Sequence, residues 1–417
     1  MDLLKFISAG SVDDGKSTLI GRLLYDSKSI LVDQLEQLEK QSVNGKSDGI
    51  DLALLTDGLR AEREQGITID VAYRYFTTSK RKFIIADAPG HVQYTRNMFT
   101  GASNSDLVII LIDARQGVVE QTRRHSIIAS LLRMKHVVVA INKMDLVDFS
   151  EKRFNDIVSD YTLIAAKLGL QDVAYFPLSA IDGDNIVERS ERITWYKGPS
   201  LLSYLEEINI DHDIDLSHPR FQVQFVLRPQ SEKLHDYRGY AGRVQSGIYR
   251  KGDSVTILPS GLTSRISQLE VNGKSTEEIF SGQSAVILLE DDIDISRGDT
   301  IALTSNLPEV VSEFDAVICW MDEKPLVNGN KYILQHRSKL VRAVIRDIKY
   351  KLDVNSLAHL EVNDDIKLND VVRVTIKTAS PLAVDSFDAN AANGAAILID
   401  ETSNSTVAAV LIQKQSI

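Results

Sequence analysis

Gly10, Gly15, Lys16 and Ser17 stand in GSVDDGKST, residues 10–18, at the spacing GxxxxGK[ST]. Such a loop is built to cradle phosphate: glycines let the backbone come close, and loop N–H groups and a helix N-terminus face the anion. Lys16 stands where an ammonium reaches the terminal phosphates, and Ser17 where a hydroxyl ligates Mg²⁺. The candidate cradle is Gly10, Ser11, Val12, Asp13, Asp14, Gly15, Lys16, Ser17 and Thr18. A glycine-bearing turn that binds nothing is the blander account, and it leaves Lys16-Ser17 without a reason to close the pattern.

Four further stretches add to this chemistry. In DAPGH, Asp87 to His91, the carboxylate would hold a Mg²⁺ water, with Ala88 and Pro89 leading to Gly90, whose backbone meets the terminal phosphate. In NKMD, Asn142, Lys143, Met144 and Asp145, the last carboxylate can accept from both the ring N–H and the exocyclic amine of guanine. Adenine offers no such donor pair, so Asp145 selects GTP over ATP. Ser179, Ala180 and Ile181 would close over the base. Thr68, in GITI, can bring a loop hydroxyl and carbonyl to Mg²⁺ and the γ-phosphate. Any one stretch could be chance, since Asp-x-x-Gly is a common turn, but five in this order make a GTP-binding domain.

The motifs need strands that end at one edge and helices that follow. LLKFISA before the loop is an unbroken apolar run, and STLIGRLLYD after it spaces Leu19, Ile20, Leu23 and Leu24 at helical intervals. VAYRYFTT, KFIIADAPG, LVIILIDA, HVVVAINK and VAYFPLSA alternate with helical stretches up to about residue 207, the rhythm of a mostly parallel sheet with helices on both faces. Ligands of such sheets sit at the carboxyl ends of the strands. Residues 208–218 are polar and acidic and lead to Pro219, and read as a linker; their histidines and aspartates lack fixed ligand spacing, so a solvated connector is favoured over a metal site. Beyond it come short alternating runs divided by Gly, Asn-Gly and Pro turns. A break near NLPEVVSEF divides them into two β-barrels, 219–305 and 306–417.

Composition bounds the function. A chain of 417 residues with 43% hydrophobic and 25% charged residues suits two or three globular domains. The net charge of -11 argues against holding DNA or another polyanion over a broad surface. Cys319 is the only cysteine, so no intrachain disulfide forms and a reducing cytoplasm is expected. MDLLKF has no signal-peptide character and no apolar run reaches membrane-span length, so no membrane association is expected.

DAPGH with its histidine, EREQGITID and QTRRH resemble the translation-factor class of P-loop GTPases, whose members carry two β-barrels after the GTPase domain. Within that class GSVDDGKSTLIGRLLYDS, DGLRAEREQGITIDVAYRYF, KRKFIIADAPGHVQYTRNM and RGYAG are similar to the GTPase subunits of bacterial sulfate adenylyltransferases, over essentially the whole chain. Asp14 stands where elongation factors usually have histidine, and RGYAG, Arg238 to Gly242, precedes a barrel motif that they carry without it. Some relatives have an N-terminal extension or a fused kinase domain; neither is found in this sequence.

The resemblance implies that GTP hydrolysis drives formation of adenosine 5'-phosphosulfate and pyrophosphate from ATP and sulfate. A separate catalytic subunit carries out that transfer, in a heterodimer or higher assembly, and an adenylylsulfate kinase acts downstream. No SGGxDS-type loop for ATP is present here, which leaves adenylyl transfer to that partner. Phosphoryl-transfer chemistry gives Lys16 the charge on the β and γ phosphates, Ser17 and Thr68 the Mg²⁺, Asp87 a water on it, and His91 the attacking water. Asp13 is a candidate contact for a monovalent cation, with a loop-rigidifying hydrogen bond the equal alternative. Arg123, Arg124 and His125 are expected on a helix beside the phosphate-sensing loop, not as an arginine finger. Arg60 to Glu64 is a solvated helical face or a switch before Thr68. Two rival classes stand beside this reading: an elongation factor delivering aminoacyl-tRNA, and a regulatory GTPase of no metabolic pathway.

Overall fold

The computed structural model describes residues 2–28, 71–89, 95–210, 215–229, 237–362 and 364–414. Thr68, the Arg60–Glu64 run, Gly90 and His91 lie outside these residues. Backbone contacts divide the chain into two compact units, parting between His212 and Asp213, with the short turn Asp353–Ala358 grouped with the first.

The first unit is built on β1 (Leu3–Ala9), α1 (Lys16–Asp26), β2 (Ala72–Thr77), β3 (Lys82–Asp87), α2 (Thr95–Ala102), β4 (Leu107–Asp113), α3 (Glu120–Leu131), β5 (His136–Asn142), α4 (Glu151–Leu168), β6 (Asp172–Pro177) and α5 (Leu201–Glu207). The sheet order is β2-β3-β1-β4-β5-β6, parallel except for β2, which runs antiparallel to β3 at one edge. Every residue of β4 is buried, as its unbroken apolar run requires of a strand covered on both faces. β1 lies between β3 and β4, where the strand order changes direction, so the loop after it opens into the crevice at the carboxyl edge. The core joins Leu4 and Phe6 of β1 to Leu19, Ile20 and Leu23 of α1 and to Ile109 and Leu111 of β4. α4 begins where Ser150 Oγ accepts the Arg153 N–H and ends at Gly169, whose φ of 69° needs no Cβ.

The second unit holds β7 (Arg220–Leu227), β8 (Gly239–Ser246), β9 (Ile248–Arg250), β10 (Ser254–Leu258), β11 (Leu262–Val271), β12 (Lys274–Thr276), β13 (Glu278–Phe280), β14 (Ser284–Leu289), β15 (Thr300–Leu303), β16 (Glu309–Trp320), β17 (Lys331–His336), β18 (Lys339–Leu352), β19 (His359–Leu360), β20 (Val371–Val384), α6 (Ala391–Gly394), β21 (Ala395–Asp400) and β22 (Thr406–Ile412). The order β10-β15-β7-β8-β14-β11 closes through a β10–β11 pairing, and β17-β21-β22-β16-β20-β18 closes through β17–β18. These are two closed six-stranded barrels, which removes the exposed edges that open antiparallel sheets carry. EVVSEF, the later part of the stretch read as the break, opens β16, where Glu309, Val310 and Ser312 are exposed and imitate a connector.

The two barrels meet through buried polar contacts. Arg220, 1% exposed, donates from Nε and Nη2 to the Asp385 carboxylate at 2.7 and 2.8 Å, and from Nη1 to the carbonyls of Pro219 and Asn306. The Gln222 side chain accepts from the Ser338 N–H at 2.9 Å and donates to the Gly298 carbonyl. His336 is buried, with Nε2 2.9 Å from the Asn393 carbonyl; burial pushes its pKa down to about 4.

Candidate nucleotide site

The phosphate loop leaves β1 at Gly10 and enters α1 at Lys16. Gly15 is its N-cap residue, with φ 92° and ψ 29°. A Cβ there would lie 2.5 Å from Asn142 Nδ2, so both the backbone conformation and the space require glycine. Lys16 is 7% exposed and its Nζ donates to the carbonyls of Gly10 at 3.1 Å and Ser11 at 2.9 Å. Burial lowers its pKa, with the nearby carboxylates of Asp87, Asp14 and Asp13 acting in the opposite direction. Ser17 and Thr18 are half-buried in the first turn of α1; Val12 and Asp13 are exposed, Asp13 at a φ of 66°. Asp14 is nearly fully buried and its Oδ2 accepts the Ser11 N–H; burial pushes its carboxyl up to about 6.

Asp87 ends β3 opposite Ser8 of β1, and Ser8 Oγ donates to Asp87 Oδ1 at 3.0 Å. Ala88 is buried and its N–H donates to the Ser8 carbonyl at 3.2 Å; Pro89 follows. The strand ends thus bring Asp87 to the same edge as the phosphate loop. Gly90, His91 and Thr68 belong to the residues not described.

Asn142 ends β5 and ties the two halves of the site together. Its Nδ2 donates to the Asp14 carbonyl at 2.8 Å, and its Oδ1 accepts the Ala180 N–H at 2.9 Å. Lys143, at a φ of 61°, opens a 3₁₀ turn over Met144–Val147 and donates to the Asp13 carbonyl. Met144 is fully buried, its N–H bonded to the Leu178 carbonyl. Asp145 Oδ1 is a buried acceptor without a hydrogen-bond partner among the described residues. An unpaired buried acceptor is costly, and one on a carboxylate fits a ligand that brings donors. Ser179 is buried, its backbone paired with Asp184, while Ile181 is 66% exposed.

Two side chains had not been assigned to the site from the sequence. Asp113 ends β4 level with Asn142 and pairs with Lys143 Nζ at 3.0 Å and Arg115 Nη2 at 2.6 Å. Burial pushes its carboxyl up, but the hydrogen bonds from Arg115 and Lys143 outweigh this and hold it down at about 2. Its signal was available: LVIILID ends in a carboxylate as KFIIAD does. Arg22 of α1 donates to the carbonyls of Ala180 and Ile181, and nothing in a helix-surface arginine marks that contact in advance.

The QTRRH residues lie on α3. Arg124 pairs with Glu120 at 2.9 Å. His125 is fully buried and burial holds its pKa down to about 3, with Lys16 and Arg124 adding to the effect; Gln121 Nε2 lies 3.0 Å from its Nε2. No group of three or more metal-ligating side chains occurs among the described residues, and His218 of the interdomain segment contacts Asp215. Among those residues no helix is long and apolar enough to cross a membrane.

Residues 1–211 match the elongation factor Tu GTP binding domain family, and residues 313–413 the GTP-eEF1A C-terminal domain-like family. The chain is 52% identical to sulfate adenylyltransferase subunit 1 of Bacteroides thetaiotaomicron, over 99% of this chain and 86% of that protein. It is 52% identical to the protein of the same name from Aliarcobacter butzleri, over 99% and 88%. The bifunctional enzyme CysN/CysC of Mycobacterium tuberculosis is also 52% identical, over 98% of this chain and 67% of that enzyme.

Proposed function

The chain belongs to the family of sulfate adenylyltransferase subunit 1, built on an elongation factor Tu GTP binding domain, and from that premise we propose that it hydrolyses GTP to drive adenosine 5'-phosphosulfate formation by a partner subunit. The observation that carries the nucleotide assignment is the buried Oδ1 of Asp145, which has no partner among the described residues, one turn beyond an Asn142 that is hydrogen-bonded to the phosphate loop. A carboxylate so placed suits the two donors of guanine. The reading as a tRNA-delivering elongation factor loses support, since the relatives that cover 98–99% of this chain carry sulfate adenylyltransferase or CysN/CysC names.

The donor set suits Mg²⁺: Ser17 lies in the first turn of α1, Asp87 is held at a strand end by Ser8, and both are oxygen donors. Ser17 and Thr68 would hold the ion, with Asp87 through water. When bound, Mg²⁺ neutralises charge on the β and γ phosphates. Lys16 and the loop N–H groups bind and orient the same oxygens, and His91 orients the attacking water. Asp13, exposed and left-handed, stands as the proposed contact for a monovalent cation.

The partner in this reading is a catalytic subunit that uses ATP and sulfate in the cytoplasm, with a kinase consuming the product. Coupling requires that GTP- and GDP-bound forms bind that subunit's states with different free energies, because a ligand without differential affinity shifts nothing. The test follows GDP and pyrophosphate release together, with each subunit alone and mixed. The chain alone is expected to be a slow GTPase that makes no adenosine phosphosulfate, and the mixture to do both faster. Product formation by the isolated chain, or by the mixture with no response to GTP, would overturn the assignment.

A further inference from the structure

The two barrels share a seam at Gln222 of β7, and three arginines converge on it. Ser338, in the turn between β17 and β18, donates its N–H to Gln222 Oε1 at 2.9 Å, which sets Arg337 beside that residue. Arg243 of β8 stands opposite Gln222 in the sheet, and Arg297 precedes Gly298, whose carbonyl accepts Gln222 Nε2 at 3.2 Å. All three arginines are exposed, and none forms an ion pair among the described residues. Arg243 Nε donates to the Gly282 carbonyl at 3.2 Å, and the nearby carboxylate of Asp299 is taken by the Ser296 N–H at 2.9 Å and by Lys339 at 4.0 Å. Although Arg337 is exposed as a residue, the seam desolvates its guanidinium; this and, second to it, the charge of Arg243 lower its pKa, so the two cations stand within electrostatic reach. In a chain with 58 acidic and 47 basic residues, this is a local reversal of sign.

Two apolar side chains stand on the same ground. Phe221 and Val223 of β7 point into the core of the first barrel, and a register shift between Val223 and Phe225 sends Phe225 outward, to the face that carries Gln222. Leu340 of β18 lies two residues past Ser338 and also faces out, while Val341 beside it enters the core of the second barrel. At 62% and 63% exposed, Phe225 and Leu340 are the most exposed large hydrophobic side chains among the described residues of the second unit. Ser338 Oγ donates to the Val223 carbonyl at 3.1 Å, so both lie within two residues of one contact between the barrels. Arginine and aromatic side chains gathered in this way are what protein interfaces enrich, with the apolar groups giving affinity and the charges steering the encounter. A nucleic acid would meet instead the field of a chain whose net charge is -11. We infer that this face of the barrel pair is a docking surface for an acidic protein segment that also carries an apolar side chain, and that the segment belongs to the catalytic subunit. The identity of the partner rests on the function proposed above.

The test titrates the full-length chain with the purified catalytic subunit by interferometry at low and high salt, with GTP affinity measured alongside and expected to stay unchanged. Arg337→Asp is expected to weaken the complex roughly tenfold or more, through slower association and a flatter salt dependence. Phe225→Ser is expected to weaken it roughly fivefold or more, through faster dissociation. Arg250→Asp alters an exposed arginine already paired with Glu278 and is expected to stay within about twofold of wild type. If Arg337→Asp and Phe225→Ser both bind as wild type does, the surface is refuted while the functional reading stands. Weakening by Arg250→Asp as large as by Arg337→Asp would reduce the effect to net charge and refute it too. Self-association of wild type that Phe225→Ser abolishes would give the face to a second copy, and capture of a single-stranded RNA oligonucleotide that Arg337→Asp abolishes would give it to a nucleic acid; either result overturns the acidic segment. If wild type binds no catalytic subunit, the functional reading falls and this occupant with it. Should Phe225→Ser unfold its barrel, Leu340→Ser reads the same face and carries the same expectation.

Discussion

Replacing Asp145 by Asn exchanges one carboxylate oxygen for an amide that donates. The change is nearly isosteric, so the 3₁₀ turn over Met144–Val147 and its Met144–Leu178 backbone bond should survive. The buried Oδ1 has no partner among the described residues, so a ligand donor is what it stands to gain. Guanine offers two donors to the carboxylate, and a hydrogen bond to a charged group contributes about 1.5–3 kcal/mol. Asp145 as a whole is only half-buried, so solvent screens the charge and the lower end of that range applies. Losing one such bond outright costs about 1.5 kcal/mol, and losing the charge assistance of the other while facing a donor with a donor adds about 1 kcal/mol more, a fall in GTP affinity of roughly 50- to 100-fold. Xanthine presents a carbonyl at C2 where guanine has its amine, so the asparagine donor should favour xanthosine triphosphate. The assay is direct titration of wild type and variant with GTP, ATP and xanthosine triphosphate by calorimetry. A variant that keeps wild-type GTP affinity would remove Asp145 from the base site, and one that weakens all three nucleotides alike would assign it a structural role only.

His91→Ala should bind GTP and Mg²⁺ nearly normally, yet lose about 10²- to 10⁴-fold in hydrolysis within the full complex; wild-type turnover would sink the water-orienting role. Gly15→Ala must place a Cβ 2.5 Å from Asn142 Nδ2 in a left-handed backbone. With about 1–2 kcal/mol for the backbone and about 1 kcal/mol for a displaced Asn142 bond, GDP and GTP affinity should each fall roughly 30- to 150-fold, and a loss under threefold refutes the geometry. His336 titrates at about 4 in the fold against an ordinary 6.5, so the unfolded chain binds more protons between these values. Its contribution is complete above the unfolded value and is lost as pH falls toward the folded one, about 3 kcal/mol in all. Denaturant unfolding at pH 7 and pH 4 should show a steeper acid loss in wild type than in His336→Asn, and parallel losses would show that His336 does not supply it.

The first unit's strands were legible because KFIIAD, LVIILID and HVVVAIN are buried on both faces and leave unbroken apolar runs. The barrels were legible as a class, less so strand by strand. β11, LTSRISQLEV, and β17, KYILQH, mix polar and apolar residues because one face of a small barrel is wet, and they were not picked out as strands. In the site, residues that act through backbone spacing could be read from the motif. Contacts made across 128 residues, such as Asn142 Nδ2 to the Asp14 carbonyl, have no local signature. The same holds for Arg22, whose partners are carbonyls and leave no residue-type preference to detect.

Arg220 and Asp385 stand 165 positions apart in sequence, one in each barrel, and each is the other's charge partner. A gene that exchanged one barrel for a distant relative's would inherit a guanidinium or a carboxylate with its counterpart missing, and an orphaned buried charge is costly enough to cancel much of a domain's stability. Recombination should therefore find few viable crossovers between β15 and β16, although that junction looks like the natural place to cut. The two barrels are expected to travel through evolution as one heritable module, with changes at Arg220 tracked by changes at Asp385.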